Sequence, residues 1–287
     1  MDKRSRFRLT VQAVAALVQN AHFSGFITGR IYEGPGKNFC VPGLNCYSCP
    51  GAVGSCPIGS LQAGLSGLKF RFPYYIVGLL IFFGVLLGRA VCGFLCPFGL
   101  IQDLLHRIPF PKKIHTFRGD RKLRKVKYLV LIILVIAIPL AVKLTPAFCK
   151  YFCPAGTLSG ILLAVNNSPL LQLMSGRFFW KTAVLAAVVL FSIMISRPFC
   201  RYLCPLGAVY APFNKVSMVR LSLKEESCIR CGACERSCPM AVNPAVNPND
   251  GECIRCGKCI SACPAQALAY ASLVRKKKEG NPGSVKN

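Results

Sequence analysis

The sequence predicts an all-α integral membrane domain with about four helical spans, followed by a small α+β domain near the C-terminus. Three observations carry this prediction. Hydrophobic residues make up 53% of the 287-residue chain, and the mean hydropathy is +0.46, values typical of membrane proteins. Apolar segments recur through the first two thirds of the chain. The chain also has 18 cysteines, and those near the C-terminus follow a repeated spacing.

Three apolar segments are candidate membrane spans: Phe72–Gly88, Val126–Val142 and Phe178–Ser196. Each is near the short end of the ~17–25 residues that a spanning helix needs. A fourth segment, Leu9–Gly29, is interrupted by polar side chains. It either spans while packed against the others or lies in the membrane interface as an amphipathic helix. Pro139 is expected to kink the helix at Val126–Val142, because proline cannot donate a backbone hydrogen bond.

The distribution of lysine and arginine predicts how the spans are oriented. Basic residues crowd the connection between the Phe72–Gly88 and Val126–Val142 segments, whereas the connection Thr145–Arg177 has few. Because basic loops stay on the cytoplasmic side, the first connection and everything after Arg197 are predicted to be cytoplasmic, with Arg30–Arg71 outside. The basic residues of the first connection are Arg107, Lys112, Lys113, Arg118, Arg121, Lys122, Arg124, Lys125 and Lys127.

The formal net charge of +26 could suggest a nucleic-acid partner. We attribute it instead to basic residues that set the orientation of the membrane spans, and metal-bound thiolates would offset part of it. No nucleic acid is expected as a partner, because no basic helix carries the polar side chains that read bases.

Two copies of the spacing C-x2-C-x2-C-x3-C-P lie near the C-terminus. They are Cys228, Cys231, Cys234 and Cys238 before Pro239, and Cys253, Cys256, Cys259 and Cys263 before Pro264. This run is typical of bacterial two-cluster ferredoxins, in which the fourth cysteine of each copy ligates the other cluster. The predicted ligand sets are Cys228, Cys231, Cys234 and Cys263 for one [4Fe–4S] cluster, and Cys253, Cys256, Cys259 and Cys238 for the second. Zinc is the alternative, but zinc sites need no such exchange of cysteines.

These motifs divide the chain into three parts. Residues 1–215 are predicted to form the membrane domain, residues 216–273 a ferredoxin domain with two [4Fe–4S] clusters, and residues 274–287 a basic tail. The membrane domain carries the other ten cysteines.

Six of those ten cysteines form an internal repeat, C-x3-C-P-x-G, that follows each of the three apolar segments. The pairs are Cys92/Cys96, Cys149/Cys153 and Cys200/Cys204, and a partial copy, SCPIG, contains Cys56. Two thiolates four residues apart can face one cluster from a single helical turn. The proline can start the next helix, which directs its free N–H groups and positive dipole end at an anionic cluster. The repeat therefore indicates metal clusters in the membrane domain.

The predicted topology sorts the pairs into two sites. Cys92, Cys96, Cys200 and Cys204 fall at cytoplasmic helix ends and are expected to ligate one [4Fe–4S] cluster. Cys149 and Cys153 fall at the outer face, where Cys56 and one of Cys46 or Cys49 would complete a second. The cysteines left over, which include Cys40, would form a disulfide in an oxidising compartment or an additional iron–sulfur centre. Because the repeats alternate in side, they suggest an inverted repeat.

Other cofactor motifs are missing from the sequence. No C-x-x-C-H motif for attached haem is present, and the chain has 3 histidines, His22, His106 and His115. No nucleotide-binding glycine motif occurs. The sequence thus offers iron–sulfur chemistry and no catalytic side chain.

At its C-x3-C-P pairs and its ferredoxin motifs, the chain resembles the membrane polyferredoxin family. That family includes the periplasmic nitrate reductase H subunit and the C-terminal part of the nitrous oxide reductase regulator NosR. The resemblance implies electron transfer at the membrane, often from quinol to a partner oxidoreductase. The chain departs from that pattern in Cys149/Cys153 and in the cysteine-rich loop Asn38–Ser60, and it lacks the flavin domain of NosR. The specific partner of the nitrate reductase subunit is therefore not expected here.

We therefore predict a multi-pass protein of the cytoplasmic membrane whose ferredoxin domain faces the cytoplasm. It passes electrons between a soluble donor or another electron-transfer subunit and quinone or an extracytoplasmic acceptor. Because the bilayer core is about 30 Å thick, either the clusters lie deep in the membrane, or a quinone or second subunit bridges them. Two alternatives stay open: a redox factor that assembles or reduces the metal of a membrane oxidoreductase, and a zinc-stabilised scaffold without redox activity.

Overall fold

The computed structural model describes residues 3–67, 73–111, 113–143, 145–166 and 176–272. Within these residues the chain is mostly helical, with one antiparallel pair of strands in the C-terminal domain. The predicted basic tail at 274–287, together with Phe72 and Lys112, lies outside the described residues.

The N-terminal domain is built from helices joined by turns and one long loop. In chain order they are α1 Lys3–Gln19, α2 Ser24–Thr28, α3 Pro57–Ser66, α4 Tyr74–Leu87, α5 Ala90–Phe94, α6 Pro97–Leu105, α7 Asp120–Leu123, α8 Val126–Val130, a π-helical segment Leu131–Ala137, α9 Ile138–Ala141, α10 Ala147–Tyr151, α11 Pro154–Asn166, α12 Gly176–Met194, α13 Pro198–Tyr202 and α14 Pro205–Tyr210. Short 3₁₀ turns lie at Pro35–Asn38, Pro212–Lys215 and Glu225–Ser227. The long loop connects α2 to α3 and contains Cys40, Cys46, Cys49 and Cys56.

The three strong apolar segments all form helices, but they differ in length. Among the described residues, α12 is the one helix long and apolar enough, by length and composition, to cross a membrane. Only 11% of its apolar window is buried, and Trp180 and Phe191 are exposed on its surface. A core helix of a soluble protein would bury such side chains. Helix α4 has 14 residues, so helix length alone does not establish four spans.

The Val126–Val142 segment contains the irregularity that Pro139 predicts. Between α8 and α9 the backbone runs as a π helix over Leu131–Ala137, and the N–H of Ile138 bonds the carbonyl of Ile133, five residues back. A proline can neither donate a backbone hydrogen bond nor fit against the carbonyl four residues before it. A π segment is one of the established ways in which a helix accommodates such a defect.

The Leu9–Gly29 segment, for which the sequence left a span and an interfacial helix open, does not form one continuous helix. Helix α1 ends at Gln19, and α2 begins only at Ser24. The Gln19 amide donates to the Leu95 carbonyl at 2.9 Å, and the backbone N–H of His22 donates to Gly51. These hydrogen bonds hold the end of α1 and the following turn against other parts of the protein, so the helix does not continue to Gly29.

The C-terminal domain has the predicted α+β composition. Strand β1 Val219–Leu223 pairs antiparallel with β2 Leu268–Ser272, and the short helices α15 Ala233–Arg236 and α16 Lys258–Ser261 lie between the strands in sequence. Each short helix follows a glycine with positive φ, 70° at Gly232 and 75° at Gly257. Glycine adopts this backbone conformation without the steric cost of a Cβ atom.

One apolar core crosses the boundary between the two domains. It contains Val91 and Leu206 from the helical domain and Met240, Val242 and Ile254 from the C-terminal domain. Fully burying one such side chain stabilises a structure by about 1.5–3 kcal/mol. The C-terminal domain is therefore packed against the helices through shared apolar burial and not only connected to them by the chain.

Candidate iron–sulfur sites

Four cysteines from two repeats meet at the ends of α4 and α12; we call this group the inner site. Its members are Cys92 on α5, Cys96 before α6, Cys200 on α13 and Cys204 before α14, and each is 4% exposed. Their sulfur atoms lie close enough for their charges to interact. The sequence analysis grouped the same four residues.

The chemistry of the inner site fits an iron–sulfur cluster. Burial, and then the neighbouring thiolates of Cys200 and Cys92, raise the pKa of Cys96 to about 12. Burial also raises the pKa of Cys200, to about 11. Four thiolates without metal would therefore repel one another in an apolar site. Bound iron compensates their charge and keeps them deprotonated, and four cysteine thiolates are the usual ligand set of [4Fe–4S] clusters.

A helix begins at the proline that follows the second cysteine of each repeat. The starts are Pro57 in α3, Pro97 in α6, Pro154 in α11 and Pro205 in α14. The backbone N–H of Gly156 donates to Cys153 Sγ at 3.4 Å, and the backbone amides of Gly59, Gly99 and Gly207 favour the thiolate form of Cys56, Cys96 and Cys204. The repeat thus directs helix N-termini at the sulfur atoms, as its sequence predicts.

Two buried arginines, which the sequence analysis missed, connect the halves of the inner site. Arg197 Nη1 donates to the carbonyl oxygen of Cys92 at 2.6 Å. Reciprocally, Arg89 Nη2 donates to the carbonyl oxygen of Cys200 at 3.1 Å. Each arginine lies three residues before the first cysteine of its own pair. Its guanidinium group donates to the backbone carbonyl of the first cysteine of the other pair. The signal R-x2-C-x3-C-P-x-G was present at both positions, whereas Pro146 precedes the Cys149 pair.

The glycine of each repeat leaves room for the arginine of the other. A Cβ atom at Gly99 would lie 3.3 Å from Arg197 Nη1, and one at Gly207 would lie 3.1 Å from Arg89 Nη2. Both distances are tighter than ordinary side-chain contacts. The two repeats are therefore related by a local pseudo-symmetry in which each glycine faces the opposite guanidinium group.

Both arginines are also held by carboxylates. Arg197 pairs with Asp103 at 2.6 Å, and Asp103 also pairs with Arg8 of α1 at 2.8 Å. Arg89 pairs at 2.6 Å with Glu252 of the C-terminal domain, which also binds Lys127. Burial opposes ionisation of Glu252, but the charges of Arg89 and Lys127 outweigh it and hold its pKa below the usual value.

A second group of four cysteines, the outer site, lines a cavity of ≈ 450 Å³. Its members are Cys46, Cys56, Cys149 and Cys153. The charges of Cys153, Cys56 and Cys46 all act on Cys149. The sequence analysis left the fourth member open between Cys46 and Cys49, and the structure brings Cys46 to the cavity.

Cys40 and Cys49 do not line this cavity. Cys40 donates to Ser60 Oγ at 3.5 Å, and the Cys49 backbone continues a turn from Cys46. Cys49 lies near the buried Lys37, which interacts with the charges of Cys49 and Cys46. The chain thus brings one cysteine of this loop into the cavity beside Cys56 and leaves two others outside it.

The eight cysteines of the C-terminal domain group in the crossed pattern that the sequence predicts. The first group, the distal site, lines one small cavity and consists of Cys228, Cys231, Cys234 and Cys263. The second, the proximal site, consists of Cys238, Cys253, Cys256 and Cys259, whose charges interact with one another. Cys231 is exposed, whereas all four cysteines of the proximal site are buried.

The donor sets fit clusters better than single zinc ions. Within the described ranges, no three Cys, His, Asp or Glu side chains converge as a mononuclear ion requires. The outer site opens into a cavity of ≈ 450 Å³, which has room for a group larger than a single ion. A four-iron cube is a larger group than a zinc ion, and its cysteine ligands lie correspondingly farther apart.

The proximal site lies directly against the inner site. A Cβ atom at Gly93, between Cys92 and Cys96, would lie 2.5 Å from the carbonyl oxygen of Ile254. Asn214 Nδ2 donates to the Cys253 carbonyl at 2.8 Å. The backbone of one site thus touches the backbone of the next without an intervening side chain.

This contact predicts that Gly93→Ala separates the two domains. The added methyl group would overlap a backbone carbonyl that cannot rotate away, and overpacking of this kind costs about 1–3 kcal/mol. Thermal unfolding and limited proteolysis of the purified protein should show a less stable C-terminal domain. Gly160→Ala is the matched control, because nothing lies within 4 Å of a Cβ atom there. Equal stability of the two variants would contradict the prediction.

Family models identify both parts of the chain. A 4Fe-4S binding domain matches residues 72–116, 126–167 and 173–224, and a 4Fe-4S dicluster domain matches residues 220–264. The three matches of the first model each contain one C-x3-C-P-x-G pair.

The chain is also similar to several curated proteins. The methylamine utilization ferredoxin-type protein MauN of Methylorubrum extorquens is 32% identical over 68% of this chain and 61% of its own length. The putative electron transport protein YccM of Escherichia coli is 30% identical over 67% of this chain and 55% of its own. The regulatory protein NosR of Pseudomonas aeruginosa is 30% identical over 56% of this chain and 22% of its own.

The chain spans about half to three fifths of the length of the first relatives that it matches. No solved structure matches the chain. The repeats, the paired ferredoxin motifs and these relatives agree with one another. The chain belongs to the membrane polyferredoxin family of ferredoxin-type 4Fe-4S electron-transfer proteins.

Proposed function

We propose that this protein is a multi-pass membrane electron carrier with four [4Fe–4S] clusters. It would connect a cytoplasmic donor or partner subunit with quinone or an extracytoplasmic acceptor. The observation that carries the proposal is the succession of the four cysteine groups, distal, proximal, inner and outer. Clusters bound at these sites would accept and release single electrons without bond chemistry, at potentials set by charge, burial and hydrogen bonding.

The distal site supports a role as the entry or exit point for electrons. Cys231 is exposed, and the neighbouring apolar Ile229 is 67% exposed. The proximal, inner and outer sites lie deeper, with most of their cysteines buried. A soluble donor or a partner subunit would therefore contact the distal site, and the protein would shield the following sites from water.

The surface of the helical domain supports a membrane location. Large apolar side chains are exposed on α4, on the α8–α9 segment and on α12, as at Phe82, Ile132 and Phe191. We infer that these three helices cross the membrane in alternating directions and that α1 lies along the interface, with its basic N-terminal end toward the cytoplasm. Residues 1–215 would form this membrane domain and residues 216–273 the cytoplasmic ferredoxin domain.

A cavity beside the proximal site supports quinone as one redox partner. It measures ≈ 500 Å³ and is lined mainly by apolar side chains, with Arg4, Arg255 and Tyr270 as polar groups and Cys256 at one wall. The apolar lining includes Phe7 of α1 and Phe94 of α5. Concave apolar sites with a few polar groups are typical of small-molecule binding, and this one opens where α1 would meet the membrane interface.

The ligand set of the outer site gives the most direct test of the cluster count. Cys46→Ala should remove one cluster, about four iron atoms per chain, because a four-iron cluster needs four thiolates. Cys49→Ala should retain all of the iron, since Cys49 lies outside the cavity. Iron and acid-labile sulfide are measured after purification without oxygen. The assignment is wrong if Cys49→Ala loses the cluster, or if both variants lose the same amount of iron.

The crossed ligation of the ferredoxin domain makes a second prediction. Cys263→Ala should damage the distal cluster, whose other cysteines lie 29 to 35 residues earlier in the sequence, and should spare the proximal one. Electron paramagnetic resonance during a redox titration distinguishes the two clusters. Loss of the proximal signal with an intact distal signal would show that each motif binds its own cluster.

Reporter fusions test the sidedness on which the role across the membrane depends. Fusions after Gly64, Arg118, Ser168 and Gly280 should report outside, inside, outside and inside, because the basic connection near Arg118 stays cytoplasmic. If the fusions after Arg118 and Ser168 report the same side, the α8–α9 segment does not span. All sites would then lie on one face, and the protein would be a one-sided relay to quinone.

A further inference from the structure

The cysteine-rich loop between α2 and α3 folds inward and contacts the inner site. The sequence alone places this loop at the outer face and leaves open how close it comes to the inner site. In the structure Leu44 is 2% exposed and Asn45 is 6% exposed. These two residues precede Cys46 of the outer site, so the segment Gly43–Asn45, which we call the bridge segment, lies between the inner and outer sites.

Gly43 brings the backbone of the bridge segment against the inner site. A Cβ atom at Gly43 would lie 3.0 Å from Cys96 Cα, 3.1 Å from the Leu95 carbonyl oxygen and 3.3 Å from Pro97 Cδ. The first two are backbone atoms, which cannot rotate away. Any other residue at position 43 would therefore push the segment from the inner site by a few tenths of an ångström.

Consecutive backbone amides of the bridge segment reach different sites. The amide of Leu44 interacts with the sulfur of Cys96 in the inner site. The amide of the next residue, Asn45, interacts with the sulfur of Cys56 in the outer site. Two adjacent peptide groups, joined at the Cα atom of Leu44, thus approach ligands of two different sites, and the chain then continues directly into Cys46, a third ligand candidate.

Two hydrogen-bonded contacts hold the bridge segment in this position. Tyr210, which is fully buried, donates from its hydroxyl to the Pro42 carbonyl at 3.1 Å. Tyr210 also interacts electrostatically with cysteines of both sites, Cys92 and Cys96 of the inner site and Cys56 of the outer site. The second contact is made by Gln19. Its side-chain amide donates to the backbone carbonyl of Leu95, and its backbone carbonyl accepts from Asn45 Nδ2 at 3.3 Å.

We propose that the bridge segment, held by Tyr210, is the positioning element that sets the electronic contact between the inner and outer clusters. The inference rests on the proposed function, because it presumes a cluster at each site. It removes the need for a quinone or a second subunit to cross the roughly 30 Å bilayer core. Electrons would move from one cluster to the other through protein that is dry, rigid and covalently continuous with a ligand of the outer site.

The test compares Gly43→Ala with Gly160→Ala in the full-length protein. Gly160→Ala adds the same methyl group where nothing lies within 4 Å. Both variants are purified without oxygen and analysed for iron, sulfide and the magnetic interaction between reduced clusters by electron paramagnetic resonance. We expect Gly43→Ala to keep its iron but to lose the spin–spin broadening between the inner and outer clusters. Reduction of the outer cluster through the inner one should also slow. Gly160→Ala should match the unmodified protein.

Tyr210→Phe provides a second variant that leaves the backbone of the bridge segment unchanged. It removes one hydrogen bond, and we expect weakened spin–spin broadening at full iron content. If Gly43→Ala loses iron from the outer site, its broadening cannot be interpreted, and the broadening in Tyr210→Phe then tests the bridge proposal. Unchanged broadening in every variant that retains iron would overturn the bridge proposal. An unmodified protein without iron at the inner and outer sites would instead overturn the proposed function.

Discussion

Two buried guanidinium groups organise the helical domain. Arg89 and Arg197 each bond a cysteine carbonyl of the opposite repeat, and each is neutralised by a carboxylate from a different part of the chain. Through Glu252, Arg89 connects the inner site to the ferredoxin domain. Through Asp103, Arg197 connects it to α1. Removing one partner from a buried ion pair costs about 3–5 kcal/mol, so the inner site, the docked domain and the N-terminal helix depend on one network.

The sequence predicted the local features because they are encoded by spacing. The crossed grouping in the ferredoxin domain follows from two copies of a motif that fixes which sulfur atoms can meet. The choice between Cys46 and Cys49 could not be made in the same way. Both lie in a loop without periodicity, and their places depend on contacts with residues far along the chain, such as Gln19 and Tyr210. The paired arginines were visible in the sequence, but their exchange between repeats appears only in three dimensions.

The distance between the inner and outer sites also stayed open at the level of the sequence. Hydropathy gives the side on which a loop begins and ends, not how far it folds back. The loop after α2 carries proline and glycine at Pro42 and Gly43, and its buried polar groups are bonded to Gln19 at the end of α1 and to Tyr210 of α14. Non-helical backbone is tolerated at membrane depth only where protein satisfies its polar groups.

The balance of buried charge is the last argument for anionic clusters. Among the described residues, buried cationic side chains outnumber the carboxylates that neutralise them. The buried cations are Arg8, Lys37, Arg89, Lys127, Arg197, Arg201 and Arg255, and their ion pairs involve Asp103, Asp120 and Glu252. A buried unpaired charge is too costly to persist. The two remaining cations lie beside cysteines, Arg255 beside Cys253 of the proximal site and Lys37 beside Cys49 and Cys46. Clusters ligated by thiolates would supply the missing negative charge, so metal binding and the folding of this core are expected to be coupled.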